Sequence, residues 1–500
     1  MLEKYCDILV IGDHLPGLVT AAFLARRGLS VQVIDTDLFS KHPKKPDPVC
    51  LTNIHSNLLR SILGRLNVPE VTIQSILNQD ATLQYVYPKS RIDVYHNPMD
   101  YFDEIEREFI DNFKEIKRFY EKQSKLRHRT QVTDLFEKLI PHTWKERQIF
   151  KKFINAQSLN EKSEGFINLL KQDPRLKSFF LSQFLLGYQQ FCDSPFAYQI
   201  SALLNPGDGE IFNVHAGLQH LKNILHERIT HYDGAVRNDV QINSLLFRNG
   251  IFEGLELDEA HGQILCKYVI WNDSLDKLKD LLPRKFRFRK LRKQCTPHQD
   301  PFYWFTTRFT VPTVYLPNPM RNNVIMINDP EKELVGENLL YIQVNKNPLD
   351  IETQIHINFL LPQSALSEDE EFFDSYFENI KQSLIKLMPF SNDGIHFDFP
   401  TKSKDMPTDT LFPLTENDFE IFRHAASQNS VSHQIDKNFI NLFKLDYRTP
   451  APNFYLSHPD IFAAFGLDAK LMLGLKITDN IWQEVEKVKK RAMKTERRIA

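Results

Sequence analysis

The sequence predicts an α/β protein with more than one domain, and three observations carry that reading. Asp7 to Asp35 reads as a βαβ unit with a glycine turn. From Phe302 to Met388 the pattern changes to long alternating strands followed by an amphipathic helix. At 500 residues the chain exceeds what one hydrophobic core usually holds.

The βαβ unit is the best-defined stretch. Asp7 to Ile11 is a short apolar run opening into Gly12, and Leu29 to Ile34 is a second run, with helix-compatible residues between. The turn Gly12-Asp13-His14-Leu15-Pro16-Gly17 keeps the first and third glycines of the dinucleotide fingerprint and has His14 in place of the second. Pro16 suits the first turn of a helix, and Leu18, Ala21, Ala22 and Ala25 give it a small apolar face that can lie close to a sheet. Gly28 follows the helix, and Asp35 ends the second strand where an acid accepts hydrogen bonds from a ribose.

The proline-rich Lys41 to Pro48 can continue neither helix nor central strand and is expected to be a loop. Leu58 to Leu66 reads as a helix, and Leu83 to Tyr87 with Arg91 to Tyr95 as a hairpin turning at Pro88-Lys89-Ser90. Phe102, Ile105, Phe109, Phe113, Ile116 and Tyr120 recur at helical spacing. Helical character continues to about Gln190 and includes the apolar Phe179 to Tyr188, expected to be a buried helix. A helix is expected from Gly217 to Arg228. Short strands are expected at Gly234 to Val236, Val240 to Ile242, Gly250 to Leu257 and Lys267 to Ile270. Phe302 to Val311 and Leu339 to Leu361 read as longer strands, and Glu368 to Met388 as an amphipathic helix.

Composition narrows the function classes. Hydrophobic content of 42% and charged content of 25% are those of a soluble globular protein, and a net charge of −2 gives no general attraction for nucleic acid. Cys6, Cys50, Cys192, Cys266 and Cys295 are scattered and form no CxxC pair, so they are expected to be reduced thiols, with no disulfide frame and no metal site. No apolar run reaches the roughly 18 residues of a membrane span, and the first strand begins too early for a signal peptide, so a cytoplasmic protein is expected. The 38 phenylalanines fit either a large core or a pocket for an apolar substrate. Lys487 to Arg498 reads as a solvated basic helix end, with peripheral contact to anionic lipid as the alternative.

With these residues in view, the chain resembles the flavin-dependent oxidoreductase superfamily of phytoene desaturases, retinol saturases and amine oxidases, most closely its phytoene desaturase-like branch. Four stretches carry the resemblance: the βαβ unit; the hairpin from Leu83 to Tyr95; Ala216 to Leu221 with Asp233 to Val236 and the strands to Ile270; and Asn453-Phe454-Tyr455-Leu456-Ser457-His458-Pro459-Asp460, continuing through Gly466 and Gly474 into a terminal helix. The resemblance implies a Rossmann-like FAD/NAD(P)-binding domain with an inserted α+β substrate domain. The FAD-type domain would comprise residues 1–95, 205–290 and 440–500, with helical (96–204) and β-sheet (291–439) parts of the substrate domain between. It further implies FAD as cofactor, contacts from Gly12, Gly17, Asp35 and Gly466, and hydride transfer between flavin and a small apolar, polyene or lipid-like substrate.

The departures from the family pattern cluster around the same ligand. His14 replaces the second glycine, the Lys/Pro loop stands where the family has a double glycine, and His458-Pro459 stands where it has glycine and an acid. Two readings follow: a flavin-dependent oxidoreductase, and a non-catalytic member of the fold that has lost FAD and serves as a binding or scaffold protein. Both place His14 and His458 together where the FAD pyrophosphate would lie. No catalytic acid, base or nucleophile is identifiable from the sequence.

Overall fold

The computed structural model describes residues 5–36, 51–52, 57–78, 83–95, 97–129, 164–188, 190–191, 212–214, 217–238, 240–257, 262–295, 302–345, 351–391, 394–400, 418–427, 430–433, 446–458 and 466–499, with isolated positions between 145 and 155. The Lys41 to Pro48 stretch lies outside the described residues. The strands used below are β1 (Tyr5–Ile11), β2 (Val31–Ile34), β3 (Leu83–Val86), β4 (Arg91–Val94), β5 (Ala235–Arg237), β6 (Ile242–Arg248) and β7 (Ile251–Leu257). They continue with β8 (Gln263–Trp271), β9 (Phe302–Pro312), β10 (Asn323–Ile327), β11 (Gly336–Asn345), β12 (Glu352–Pro362) and β13 (Phe454–Leu456). The helices are α1 (Leu15–Arg26), α2 (Pro98–Glu108), α3 (Phe113–Arg129), α4 (Pro174–Tyr188), α5 (Gly217–His231), α6 (Glu370–Leu387) and α7 (Gly466–Ile499).

The first sheet has seven strands in the order β6-β7-β8-β1-β2-β5, with β13 also on β8. β1, β2, β5, β8 and β13 run parallel, so their carboxyl ends share one edge. Asn249 and Gly250, both at positive φ, fold β6 back antiparallel onto β7. The β1-α1-β2 unit is central because Ile8 to Ile11 and Val31 to Ile34 are buried on both faces, as a covered parallel sheet requires. α1 packs between α5 and α7 on this sheet, in one core that also takes in Phe454 and Leu456. α7 comes close enough to α1 for Thr20 to donate to the Gly474 carbonyl at 2.9 Å.

The second sheet has nine strands, with β4-β3-β10-β11-β12-β9 as its main path and short strands Ser430–His433, Gln190–Phe191 and His396–Phe399 at the β9 side. One face carries Trp304, Ile325, Leu339, Tyr341 and Leu360 and is covered by α2, α3 and α4. The other carries Phe305, Phe309, Ile342, Ile357 and Phe359 and is covered by α6 and the helix Asp418–Ser427. The apolar stretch Phe179 to Tyr188 is accordingly a core helix, with Phe179, Phe180 and Phe184 fully buried.

Three points differ from the sequence expectation. The β3–β4 hairpin, counted with the first segment up to residue 95, pairs in parallel with β10 and so belongs to the second sheet, because Leu83 and Tyr85 complete that sheet's apolar face. β6 runs from Ile242 to Arg248 rather than ending at Ile242; its burial does not alternate, so periodicity hid it. β10, Asn323–Ile327, was missed: buried on both faces, it shows a continuous apolar run with no period-two signal.

Candidate functional site

In a parallel sheet, ligands settle outside the carboxyl ends of the strands, and Gly12, His14, Asp35 and His458 stand at that edge. Gly12 follows β1, Asp35 follows β2, and His458 lies two residues beyond β13. Gly466 begins α7, but residues 459–465 between it and His458 lie outside the described residues. The structure brings His14 and His458 together as expected, with ring centroids 5.3 Å apart and planes at 83°.

The turn itself is filled from β8. Asn272, fully buried just past that strand, accepts from the Gly17 N–H at 3.0 Å and donates to the carbonyls of Gly12 (3.1 Å) and His14 (2.6 Å). Ser457 Oγ donates to the same Asn272 oxygen at 2.8 Å, and the Ser457 N–H donates to the Trp271 carbonyl at 2.8 Å. Glycine is needed at both ends of the turn for this packing. A Cβ on Gly12, whose φ is 103°, would lie 2.3 Å from the Asn272 carbonyl oxygen, and one on Gly17 would lie 2.3 Å from the Asn272 carboxamide carbon. The retained glycines therefore admit the chain's own asparagine.

A second closure lies at the same edge. Thr36, just past β2, donates its hydroxyl to Asp273, just past β8; β1 lies between those strands, so this bond spans the carboxyl end of β1. Asp273 is held from its other side by the Ser274 N–H at 2.6 Å and Lys277 Nζ at 2.9 Å. The βα turn is also tied to α5, where Asp13 meets His226 Nε2 at 2.6 Å and Lys222 Nζ at 3.2 Å. Burial of Asp13 opposes its ionisation, but Lys222 and His226 outweigh that and hold its carboxyl below the ordinary value. Asp35 is 1% exposed, with its N–H on the Arg237 carbonyl at 2.7 Å.

This arrangement is a poor fit for a dinucleotide pyrophosphate. A helix start holds phosphate through first-turn N–H groups and its dipole. In α1 the Gly17 N–H is engaged by Asn272 and Pro16 has none, which leaves the Leu15 N–H among the three first-turn residues. The imidazoles of His14 and His458 meet at the same edge, and the Thr36–Asp273 bond crosses it. Among the described residues no group of three or more His, Cys, Asp and Glu could hold a metal, and no helix is long and apolar enough to cross a membrane.

Sequence reasoning found the glycines, Asp35 and the two histidines but missed Asn272, Asp273, Thr36 and Ser457. A usable signal was present: the apolar run Tyr268 to Trp271 ends abruptly in Asn272-Asp273, and polar residues at the carboxyl end of a strand beside β1 face the same edge as the glycine turn.

No family model matches the chain, and no curated protein matches it. Solved structures do share its fold. A mutant of putrescine oxidase aligns at a TM-score of 0.60 and 14% identity, over 96% of this chain and 99% of that one. An oxidoreductase from Methanosarcina mazei aligns at 0.56 and 12%, over 95% and 100%, and cyclohexylamine oxidase from Brevibacterium oxydans at 0.54 and 13%, over 96% and 99%. At such identities the likeness establishes architecture alone: along nearly its whole length, this chain has the α/β fold of the amine oxidases.

Proposed function

We propose that this protein uses the flavin-oxidoreductase fold as a binding scaffold and does not carry out hydride transfer through FAD held in the usual pose. The observation that supports this is the Asn272 carboxamide in the βα turn, engaging Gly17 N–H, Gly12 O and His14 O at once. The Thr36–Asp273 bond and the His14–His458 pair lie at the same edge. Binding chemistry then falls to other surfaces of the molecule. The test is direct: protein purified without added flavin should release none on denaturation, and added FAD should not be taken up. The double change His14→Gly, His458→Gly should raise FAD affinity above that of wild type, read by quenching of flavin fluorescence. Stoichiometric FAD released from the wild-type protein would refute the reading.

A second reading keeps the enzyme, and two observations favour it. The chain aligns with oxidases over 96% of its length, and Gly12 and Asp35 follow parallel strands at their carboxyl edge, where such sheets take ligands. On this reading FAD would be bound and would supply hydride chemistry on an apolar, polyene or lipid-like substrate.

A further inference from the structure

We propose that Arg308, His356 and Asn358, on the second sheet, form a binding site for an organic carboxylate. The strand register places them together. Arg308 of β9 pairs with His356 of β12, Thr306 pairs with Asn358, and Gln343 and Tyr341 of β11 continue the same two rows. These positions share a face with Trp304 and Leu360, whose apolar row is covered by helices, so the face changes from apolar to polar within two rows. Such a block of polar residues in the middle of a sheet contributes little to folding, because its groups must be desolvated and each needs a partner.

Here the partners are incomplete. Asn358 is 2% exposed and accepts from Thr306 Oγ1 at 2.6 Å, but its amide nitrogen is buried without a hydrogen-bond partner among the described residues. Among the described residues Arg308 Nε is likewise buried without a hydrogen bond, and it forms an ion pair with Asp398 at 3.7 Å. Two donors in adjacent rows of one face thus lack a hydrogen bond among the described residues, and a ligand oxygen would meet both. Burial and the adjacent guanidinium push His356 down to about 4, so it is a neutral imidazole at pH 7.

The charge balance selects the ligand class. Arg308 supplies one cation, Asp398 already offsets part of it, and His356 adds none at neutral pH. A dianion such as phosphate would meet the Asp398 carboxylate with too little compensating charge. A single carboxylate matches the guanidinium fork bidentately and can accept from the Asn358 amide as well. The assignment does not depend on how the βα turn is filled and can be measured whether or not the protein carries flavin.

The probe is sodium hexanoate, titrated calorimetrically into the full-length protein, with 1-hexanol and inorganic phosphate as controls. Saturable hexanoate binding is expected, weakened at least tenfold in Arg308→Gln and severalfold in Asn358→Leu, which removes the unmet donor at nearly constant volume. Hexanol and phosphate should neither bind nor displace hexanoate. Absence of saturable hexanoate binding to wild type, or unchanged affinity in Asn358→Leu with native circular dichroism, would overturn the site; displacement by phosphate would overturn the carboxylate assignment.

Discussion

Substitution of Asn272 tests whether the βα turn is held by one side chain. Its carboxamide, on a fully buried residue, accepts from Gly17 N–H and Ser457 Oγ and donates to Gly12 O and His14 O. Asn272→Ala strips these groups of their partner at about 1–3 kcal/mol for each left unmet. The vacated space is about that of a water molecule, which can meet two or three of them, so the net loss should be about 2–3 kcal/mol. Asn272→Asp should be worse despite its closer shape. A carboxylate can accept from Gly17 and Ser457 but faces the Gly12 and His14 carbonyls with no proton to give, and a buried unpaired charge costs several kcal/mol. Its folded-state pKa must then lie above the unfolded value of about 3.9, so the penalty is full above the folded pKa and shrinks as pH falls towards the unfolded one. Urea unfolding followed by tryptophan fluorescence suits the measurement, since Trp271 donates to the Ser274 carbonyl beside the turn. Midpoints should be compared transition by transition, because a chain of this size need not unfold in one step. Asn272→Ala within about 0.5 kcal/mol of wild type, the range of an ordinary surface change, would refute the view that this side chain holds the turn together.

Two further outcomes are expected. Gly474→Ala should destabilise by about 1–3 kcal/mol, since its Cβ would lie 2.5 Å from the Pro16 carbonyl and 2.9 Å from Val19 Cβ, whereas Gly64→Ala, in a helix with open space around it, should stabilise by about 0.5–1 kcal/mol; thermal unfolding of the pair distinguishes close helix crossing from a general effect of glycine. His356, pushed down to about 4 from an ordinary 6.5, leaves the folded state with fewer bound protons than the unfolded one, so stability should be full above pH 6.5 and fall by about 3 kcal/mol towards pH 4, a loss that His356→Gln abolishes in urea titrations across that range.

What the sequence revealed divides along physical lines. The βαβ unit was legible because its signals are local: two apolar runs, a glycine turn, a small-residue helix face and a closing acid within 30 residues. The meeting of His14 and His458 was legible only through the family resemblance, because 444 residues separate them and no periodicity relates them. Asn272 was illegible for a related reason. Its role is set by the register of β8 beside β1, a long-range pairing that a single sequence does not encode locally. The polar block on the second sheet was hidden in another way: Arg308 and His356 each read as an ordinary alternating polar position, and only the pairing of β9 with β12 shows that the polar positions coincide.

The way the turn is closed also bears on how readily it could reopen. The closing groups come from separate stretches: His14 and Pro16 from the turn, Thr36 from the end of β2, Asn272 and Asp273 from the end of β8, and Ser457 and His458 from beyond β13. A fold that merely lost its ligand would leave helix N–H groups and strand ends without partners, at a cost that grows with every buried donor. Here Asn272 bonds the Gly17 N–H, the Gly12 and His14 carbonyls and Ser457, and Thr36 bonds Asp273, so the closed state is stabilised in its own right. Removing the two imidazoles clears space at the mouth but leaves Pro16 without a donor and Gly17 still engaged by Asn272. The double histidine change should therefore raise FAD affinity without reaching the tight binding of an intact dinucleotide turn, which needs first-turn donors as well as room. Tight, stoichiometric FAD binding by that double variant would show that the imidazoles alone close the site and that Asn272 yields when a phosphate arrives.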